Sequence, residues 1–186
     1  MTVVVGLVDG GRVIMGADSA GSGDCSTYPM VTPKVFRLGP LLLGYTSAFR
    51  FGQVIRYGLI VPRIAPDEDF ERYLAGSFSA ALRDCLKEHG WHSTDNGRDA
   101  GGRLMVAYNG RLAVIEEDYG VIESMNGYRA IGCGSEWATG SLHTTGRVPY
   151  NTIVASLRVR LALEAAADHD QHCAGPFVVE RLEPAD

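Results

Sequence analysis

The sequence predicts an α+β domain in which two mostly antiparallel sheets stack face to face, with pairs of helices on the outside. Two observations carry this prediction: strand-like segments come in blocks joined by hairpin signals, and helix-like segments come in pairs between those blocks. Because helices do not alternate singly with strands, antiparallel sheets are favoured over parallel ones. The chain has 186 residues, 46% of them hydrophobic, which is enough for one domain with a sizeable core, assigned to residues 1–186.

The first block of strands begins directly behind the initiator methionine. Residues 2–9 are apolar and β-branched, Gly10-Gly11 is a hairpin signal, and residues 12–17 form the returning strand. After a Gly/Ser-rich loop, two further strands are predicted over residues 34–39 and 40–46, the second almost wholly apolar and therefore buried on both faces.

Two helices are predicted next, over residues 47–61 and 67–90, because apolar side chains recur on one stripe of each. The polar segment 91–102 is predicted to be a surface loop. The remaining chain repeats the order of strands and helices: strands over 103–110, 111–118 and 120–132, helices over 132–145 and 151–170, and a last strand over 176–183.

Charge and hydropathy exclude several classes of function. The formal net charge is −5, and no basic stripe of the kind that binds nucleic acid is present. The sequence lacks an apolar run of about 18 residues that would cross a membrane, and its first residues do not form a secretory signal. We therefore expect a cytoplasmic protein that contacts neither nucleic acid nor membrane.

The four cysteines form no C-x-x-C pair, and reduced thiols fit a cytoplasmic location. His169 and His172 lie near Asp170 and Cys173 in the sequence, and these residue types resemble the ligands of a metal site. No second group of ligands with zinc spacing accompanies them, so neither a metal nor another cofactor is predicted.

Thr2 is the first candidate for chemistry. Methionine is normally trimmed before a small residue, so we expect Met1 to be removed and Thr2 to carry a free α-amino group. That amine has an ordinary pKa of about 7.7–8.0, so part of it can accept a proton near neutral pH. An N-terminal amine can act as the base for its own threonine hydroxyl, so one residue supplies nucleophile and base.

Asp18 and Lys34 are predicted to support Thr2. Asp18 ends the strand that returns from the first hairpin, which brings it close to Thr2 in space. Lys34 is one of only two lysines beside 15 arginines, and it lies next to apolar strands. A compact ammonium can lower the pKa of a hydroxyl and be held by a carboxylate, whereas a guanidinium is wider and cannot be tuned in this way.

Together these residues resemble a known family. Thr2, "GADS" with Asp18, "KVFRL" with Lys34, "LLLGYTSA" and "AIGCGSEWATG" look like the N-terminal-nucleophile (Ntn) hydrolases of the proteasome β-subunit kind, including the bacterial HslV-type proteases. The resemblance runs from Thr2 to about Ala138 and more loosely through "AAADHDQHCAG". It implies a four-layer αββα sandwich, a threonine-type endopeptidase that works through an acyl-enzyme, and a self-assembled ring. An ATP-dependent unfoldase is a possible further partner, which the sequence leaves open.

The resemblance also assigns roles by position. Lys34 would activate the Thr2 hydroxyl, Asp18 would orient Lys34, and the backbone N–H of Ser47 would help to form an oxyanion hole. Ser22 would line the substrate channel and Gly21 would take part in substrate selection.

Cysteine replaces serine at two supporting positions of the family pattern. Cys133 stands between two glycines where members usually have serine, and Cys173 follows Asp170 by three residues where serine is usual. These cysteines either keep a weak hydrogen-bonding network around the Thr2 amine or abolish it. Ser47 replaces a usual glycine, which matters less because the backbone makes the contact. Cys133 is not predicted to be the nucleophile, since it lacks a free amine and an obvious histidine partner.

Two alternatives stay open at this stage. The chain could be an Ntn amidohydrolase that acts on a small amide, with the same nucleophile but another pocket. It could also be a catalytically silent ring protein that keeps the fold, because a fold does not fix a function.

Overall fold

A computed structural model of the chain describes residues 2–22, 26–65, 67–95, 98–148 and 153–184. Within them, the strands are β1 (Val3–Asp9), β2 (Arg12–Ala17), β3 (Ala20–Ser22), β4 (Thr27–Pro29), β5 (Val35–Leu38), β6 (Leu41–Tyr45), β7 (Ser93–Asp95), β8 (Arg98–Ala100), β9 (Leu104–Tyr108), β10 (Arg111–Ile115), β11 (Val121–Glu123), β12 (Tyr128–Gly132) and β13 (Val178–Leu182). The helices are α1 (Phe49–Gly58), α2 (Phe70–Tyr73), α3 (Ser79–Glu88), α4 (Ser135–Gly146) and α5 (Ala155–His169), and a π-helical segment (Leu74–Phe78) joins α2 to α3.

Antiparallel pairing, as predicted, holds every described sheet together. One sheet has the strand order β12-β1-β2-β13, and a second has the order β11-β10-β9-β6-β5. The hairpin signal at Gly10-Gly11 is confirmed, and Asn109-Gly110 forms a second turn between paired strands; all four residues have positive φ. The mixed class of helices with antiparallel sheets is therefore confirmed.

Three hydrophobic clusters surround these sheets. One joins the five-stranded sheet to α1, the π-helical segment and α3, and another joins β1 and β2 to α4 and α5. The third contains residues of both sheets, among them Val4, Met15, Leu42 and Met105. Strand β1 contributes to two clusters because successive side chains of a strand point to opposite faces: Val3, Val5 and Leu7 pack with the helices, while Val4 packs with the other sheet.

The prediction of a single strand over residues 120–132 is wrong, because the structure has two strands there. β11 pairs with β10 in the five-stranded sheet, whereas β12 pairs with β1 in the four-stranded sheet. The chain changes sheets at the turn before Tyr128, where Gly127 has a φ of 70°. The apolar pattern of residues 120–132 was interpreted as one strand, because the pattern does not show that the chain passes from one sheet to the other.

Two segments predicted as loops contain short hairpins. β3 pairs with β4, and β7 pairs with β8. Residues 23–25, 96–97 and 151–152, which fall in the predicted loops or at the start of the last predicted helix, lie outside the described residues. The helices predicted over 47–61 and 67–90 extend two or three residues beyond the observed helical segments 49–58 and 70–88 at each end, whereas α4 begins three residues later and ends one residue later than the helix predicted over 132–145.

Candidate active site

Asp18 lies where the first hairpin returns to its start. Val4 pairs with Ala17, and one step further the Asp18 N–H donates to the Val3 carbonyl at 3.3 Å. The Asp18 carboxylate in turn accepts from the backbone N–H of Val3 (2.9 Å) and of Ala20 (3.0 Å). Asp18 is thus fixed against the residue that follows Thr2, as the hairpin argument predicted.

Lys34 forms a fully buried ion pair with Asp18. Its Nζ donates to Asp18 Oδ1 at 3.0 Å and to Oδ2 at 2.9 Å, and both side chains have 0% exposure. The same ammonium donates to the Ala20 carbonyl at 2.7 Å. Lys34 precedes β5, and its carbonyl accepts from the Tyr45 N–H at 3.1 Å, so the five-stranded sheet fixes its backbone.

Thr2 itself is buried and is held by the turn that follows β12. Its carbonyl accepts from the backbone N–H of Cys133 at 2.9 Å and from the Cys133 thiol at 3.3 Å. The Thr2 nitrogen lies 3.3 Å from Cys133 Sγ, toward which its N–H points. Cys133 therefore contacts both backbone polar groups of Thr2.

Gly132 permits this approach. Its φ of 99° lies in the region that favours glycine, and a Cβ at this position would stand 2.0 Å from the Thr2 carbonyl oxygen. The glycine before Cys133 in "GCG" is therefore required by the distance between the two backbones, a reason that the sequence pattern alone does not give.

Asp170 and Cys173 join Cys133 on the same side of Thr2. Cys133 Sγ and Cys173 Sγ are 3.7 Å apart, and these two atoms and an Asp170 carboxylate oxygen lie within 4.8 Å of one another. The turn after α5 positions the pair, since the Cys173 N–H donates to the Asp170 carbonyl at 3.0 Å. Cys133 is exposed, Cys173 is buried, and both are free thiols.

The two thiols differ in their readiness to ionise. The hydrogen bond with Cys173 lowers the pKa of the Cys133 thiol, although partial burial and Asp170 oppose this effect. The same hydrogen bond, reinforced by burial, raises the pKa of the Cys173 thiol well above its ordinary range. A thiolate in this pair would therefore form on Cys133, the sulfur that contacts Thr2.

Ser47 occupies a strained backbone position after β6. Its φ is 79°, a region that costs a non-glycine residue about 1–2 kcal/mol. Its hydroxyl accepts from the Arg103 N–H at 3.3 Å, which fixes the turn. The positive φ gives a physical reason for glycine being usual here.

Gly21 and Ser22 lie in β3, which follows the Asp18–Ala20 contact directly. Gly21 is buried beneath Tyr28, whose ring carbon would lie 2.5 Å from an added Cβ, and Ser22 pairs with Thr27. Sequence reasoning placed both residues in a loop, because three-residue strands leave too little alternation to detect.

The sequence also missed the Ala20 carbonyl as the third oxygen around the Lys34 ammonium. A backbone acceptor leaves no signature in residue type, so only the fold could reveal it. The contact between Cys133 and Thr2 had a signal, the "GCG" element, but its target could not be inferred from spacing.

Similar solved structures cover nearly the whole chain. BPH from Thiobacillus denitrificans matches with a TM-score of 0.84 and 20% identity over 99% of both chains, and the same protein in complex with epoxomicin matches with 0.83 and 19% over 100% of both. HslV from Trypanosoma brucei matches with a TM-score of 0.68 and 19% identity over 98% of this chain and 99% of its own. Anbu, an ancestral β-subunit from Yersinia bercovieri, matches with 0.67 and 14% over 98% of this chain and 82% of its own.

No family model and no curated protein matches the sequence. Sequence identities of 14–20% show a similarity of fold and nothing further.

A membrane-spanning helix is not found among the described residues, because none of their helices has the required length and hydropathy. The TM-scores and the coverage of both chains lead to one conclusion: this chain has the fold of the proteasome-type N-terminal-nucleophile hydrolases.

Proposed function

We propose that this protein is an N-terminal threonine peptidase that hydrolyses peptide bonds through an acyl-enzyme on Thr2. One observation carries the proposal: the buried Asp18–Lys34 pair is hydrogen-bonded to the N–H of Val3, the residue joined to the Thr2 carbonyl. A buried ion pair is a poor source of stability, because desolvation offsets the attraction. Its position beside a potential nucleophile therefore favours a role in chemistry.

The chemistry requires that Met1 be removed. The freed Thr2 amine takes the proton of the Thr2 hydroxyl as the oxygen attacks the scissile carbonyl carbon, and then gives that proton to the leaving amine. Lys34 favours the ionised hydroxyl by its charge, and Asp18 holds Lys34 in place. Water then hydrolyses the ester on Thr2 and restores the hydroxyl.

Backbone groups complete the proposed site. The N–H of Ser47 stabilises the oxyanion, a contribution of several kcal/mol when such donors are preorganised. Gly21 and Ser22, on the strand that leaves Ala20, bind the substrate alongside Thr2. Cys133, Asp170 and Cys173 support the amine of Thr2 through hydrogen bonds.

The proposal includes a four-layer αββα arrangement and a homo-oligomeric ring. The packing of helices on both sheets and the likeness to an HslV support it. Light scattering of the purified chain tests assembly, and a monomer at micromolar concentration would contradict it. Delivery of protein substrates by an ATP-dependent unfoldase stays a prediction.

The decisive experiment combines mass, labelling and turnover. Intact mass is expected to show loss of Met1, and a peptide epoxyketone is expected to add to Thr2. Epoxomicin is present in the complex of BPH, a protein of the same fold, which supports this choice of probe. Thr2→Ala should abolish hydrolysis of a fluorogenic peptide and the adduct, while circular dichroism and assembly stay unchanged.

Two matched variants sharpen the test. Thr2→Ser keeps a hydroxyl and should retain part of the turnover, whereas Lys34→Arg should lose most of it, because a guanidinium is wider than the ammonium it replaces. Near-normal rates in Lys34→Arg would remove Lys34 from the mechanism.

The two alternatives predict other outcomes. An Ntn amidohydrolase for small amides would lose Met1 and depend on Thr2 but would leave peptides uncleaved. A silent ring protein would assemble without forming any adduct at Thr2.

A further inference from the structure

The cluster of Cys133, Asp170 and Cys173 has features that hydrogen bonding around Thr2 does not require. It combines two thiols and a carboxylate from two separate parts of the chain, the turn after β12 and the turn after α5. We propose that this cluster is a binding site for Zn²⁺, and that the freed amine of Thr2 supplies the fourth ligand.

The distances suit a tetrahedral zinc ion. With Zn–S bonds of about 2.3 Å, two sulfur ligands of a tetrahedron lie about 3.8 Å apart. Cys133 Sγ and Cys173 Sγ are 3.7 Å apart, and both lie within 4.8 Å of an Asp170 carboxylate oxygen. The three donors therefore span one face of a tetrahedron with little movement.

The Thr2 nitrogen lies at the right distance to complete the set. It is 3.3 Å from Cys133 Sγ, while a sulfur and a nitrogen on one tetrahedral zinc are separated by about 3.6 Å. An amide nitrogen does not bind zinc well because its lone pair is delocalised, but an uncharged α-amine does. Removal of Met1 would therefore convert a three-ligand site into a four-ligand site.

The contacts around this cluster also favour a zinc ion. Asp170 Oδ1 accepts from the His172 N–H at 2.9 Å, which orients the carboxylate as an outer partner of a metal ligand does. Cys133 is exposed and Cys173 buried, so an ion can enter from solvent and reach the inner sulfur. Soft thiolates select zinc over magnesium or calcium, and each thiol releases its proton when it binds.

Occupancy would silence the proposed peptidase, and this part of the inference rests on the proposed function. A zinc ion that takes the lone pair of the Thr2 amine removes the base that the hydroxyl needs. The serines usual at these two positions of the family pattern would bind zinc poorly, so the proposed site depends on the two cysteines of this chain.

The test uses Co²⁺ as a spectroscopic substitute for Zn²⁺ and needs no turnover. The fully reduced chain without Met1, titrated with Co²⁺, is expected to show thiolate-to-cobalt charge-transfer and tetrahedral d–d bands at one equivalent, which Zn²⁺ then abolishes. Cys133→Ser and Cys173→Ser should each lose the charge-transfer intensity of their sulfur and bind at least about tenfold more weakly, and so should Asp170→Asn. Cys85→Ser, which changes a thiol in the hydrophobic cluster of the five-stranded sheet, serves as the control and should keep the bands.

Absence of the bands with all thiols reduced would overturn the site, and so would bands that persist undiminished in Cys133→Ser. A chain that retains Met1 should bind Co²⁺ about tenfold more weakly, and equal affinity would remove Thr2 from the ligand set. Inhibition of peptide cleavage by Zn²⁺, expressed relative to each protein's own rate without zinc, should be weaker in Cys173→Ser than in the unaltered chain, which tests the regulatory part. A silent enzyme that still shows the bands would contradict the proposed function and leave the metal site standing.

Discussion

The two sides of Thr2 are built on opposite physical principles. On one side, Asp18 and Lys34 are charged, fully buried and saturated with hydrogen bonds from β1 and β3. On the other side, two weakly polar thiols, Cys133 and Cys173, and the Asp170 carboxylate are held by turns, and Cys133 is exposed. Removal of either Asp18 or Lys34 is therefore expected to destabilise the protein. Substitution of the thiols is expected to cost less, provided that the backbone around Thr2 stays in place.

The largest effect is expected from breaking the buried pair. Lys34→Met leaves the Asp18 carboxylate without its ammonium inside the protein and should lower the free energy of unfolding by about 3–5 kcal/mol. Urea denaturation measures it. The double variant Asp18→Asn/Lys34→Met serves as the control and should recover part of this loss, because no charge remains unpaired. A loss below 1 kcal/mol in Lys34→Met would mean that the pair is not desolvated as described.

The next largest effect should come from the backbone on the thiol side. Gly132→Ala introduces a Cβ that would stand 2.0 Å from the Thr2 carbonyl oxygen, at a φ of 99°. We expect a loss of about 3 kcal/mol, from strain and from displacement of Thr2. Gly10→Ala is the matched control, since its φ is 57° and nothing lies within 4 Å of the added atom. Equal losses in the two variants would contradict the close approach.

A smaller effect is expected in the rates at which the cysteines react with an alkylating reagent. Cys133 is exposed, whereas Cys85 and Cys173 are buried. Iodoacetamide should therefore alkylate Cys133 more than about tenfold faster than either buried thiol, because the reagent must reach the sulfur. Peptide mapping over time measures the three rates. Comparable rates for Cys133 and Cys173 would show that both thiols are open to solvent.

The smallest effect is expected from exchanging the thiol that touches Thr2. Cys133→Ser keeps a donor and an acceptor beside Thr2, so the free energy of unfolding should change by less than about 1 kcal/mol. Cys133→Ala removes both and serves as the comparison, with a larger loss. Thermal unfolding of the two variants measures the difference. A serine variant less stable than the alanine variant would contradict a stabilising role of the hydrogen bonds between Cys133 and Thr2.

Features that depend on neighbouring residues could be predicted from the sequence, and features that depend on distant residues could not. β1 and β2 could be predicted because a Gly-Gly turn and apolar, β-branched runs are local signals, and the hairpin then brought Asp18 close to the start of β1. The role of Lys34 was suggested by its scarcity among 15 arginines. The split of residues 120–132 into two sheets was missed, since each strand keeps the same local pattern whichever sheet accepts it.

The amino-acid pattern alone established the β1–β2 hairpin, the helical faces and the residue types around Thr2, because short-range periodicity and turn chemistry depend on neighbouring residues. Which groups contact one another depends on the packing of the whole chain. This packing supplied the Ala20 carbonyl to Lys34, brought Cys133 within 3.7 Å of Cys173 across 40 positions of the chain, and set Gly132 against Thr2. Such contacts depend on how the sheets and helices pack, and residue spacing does not record that packing.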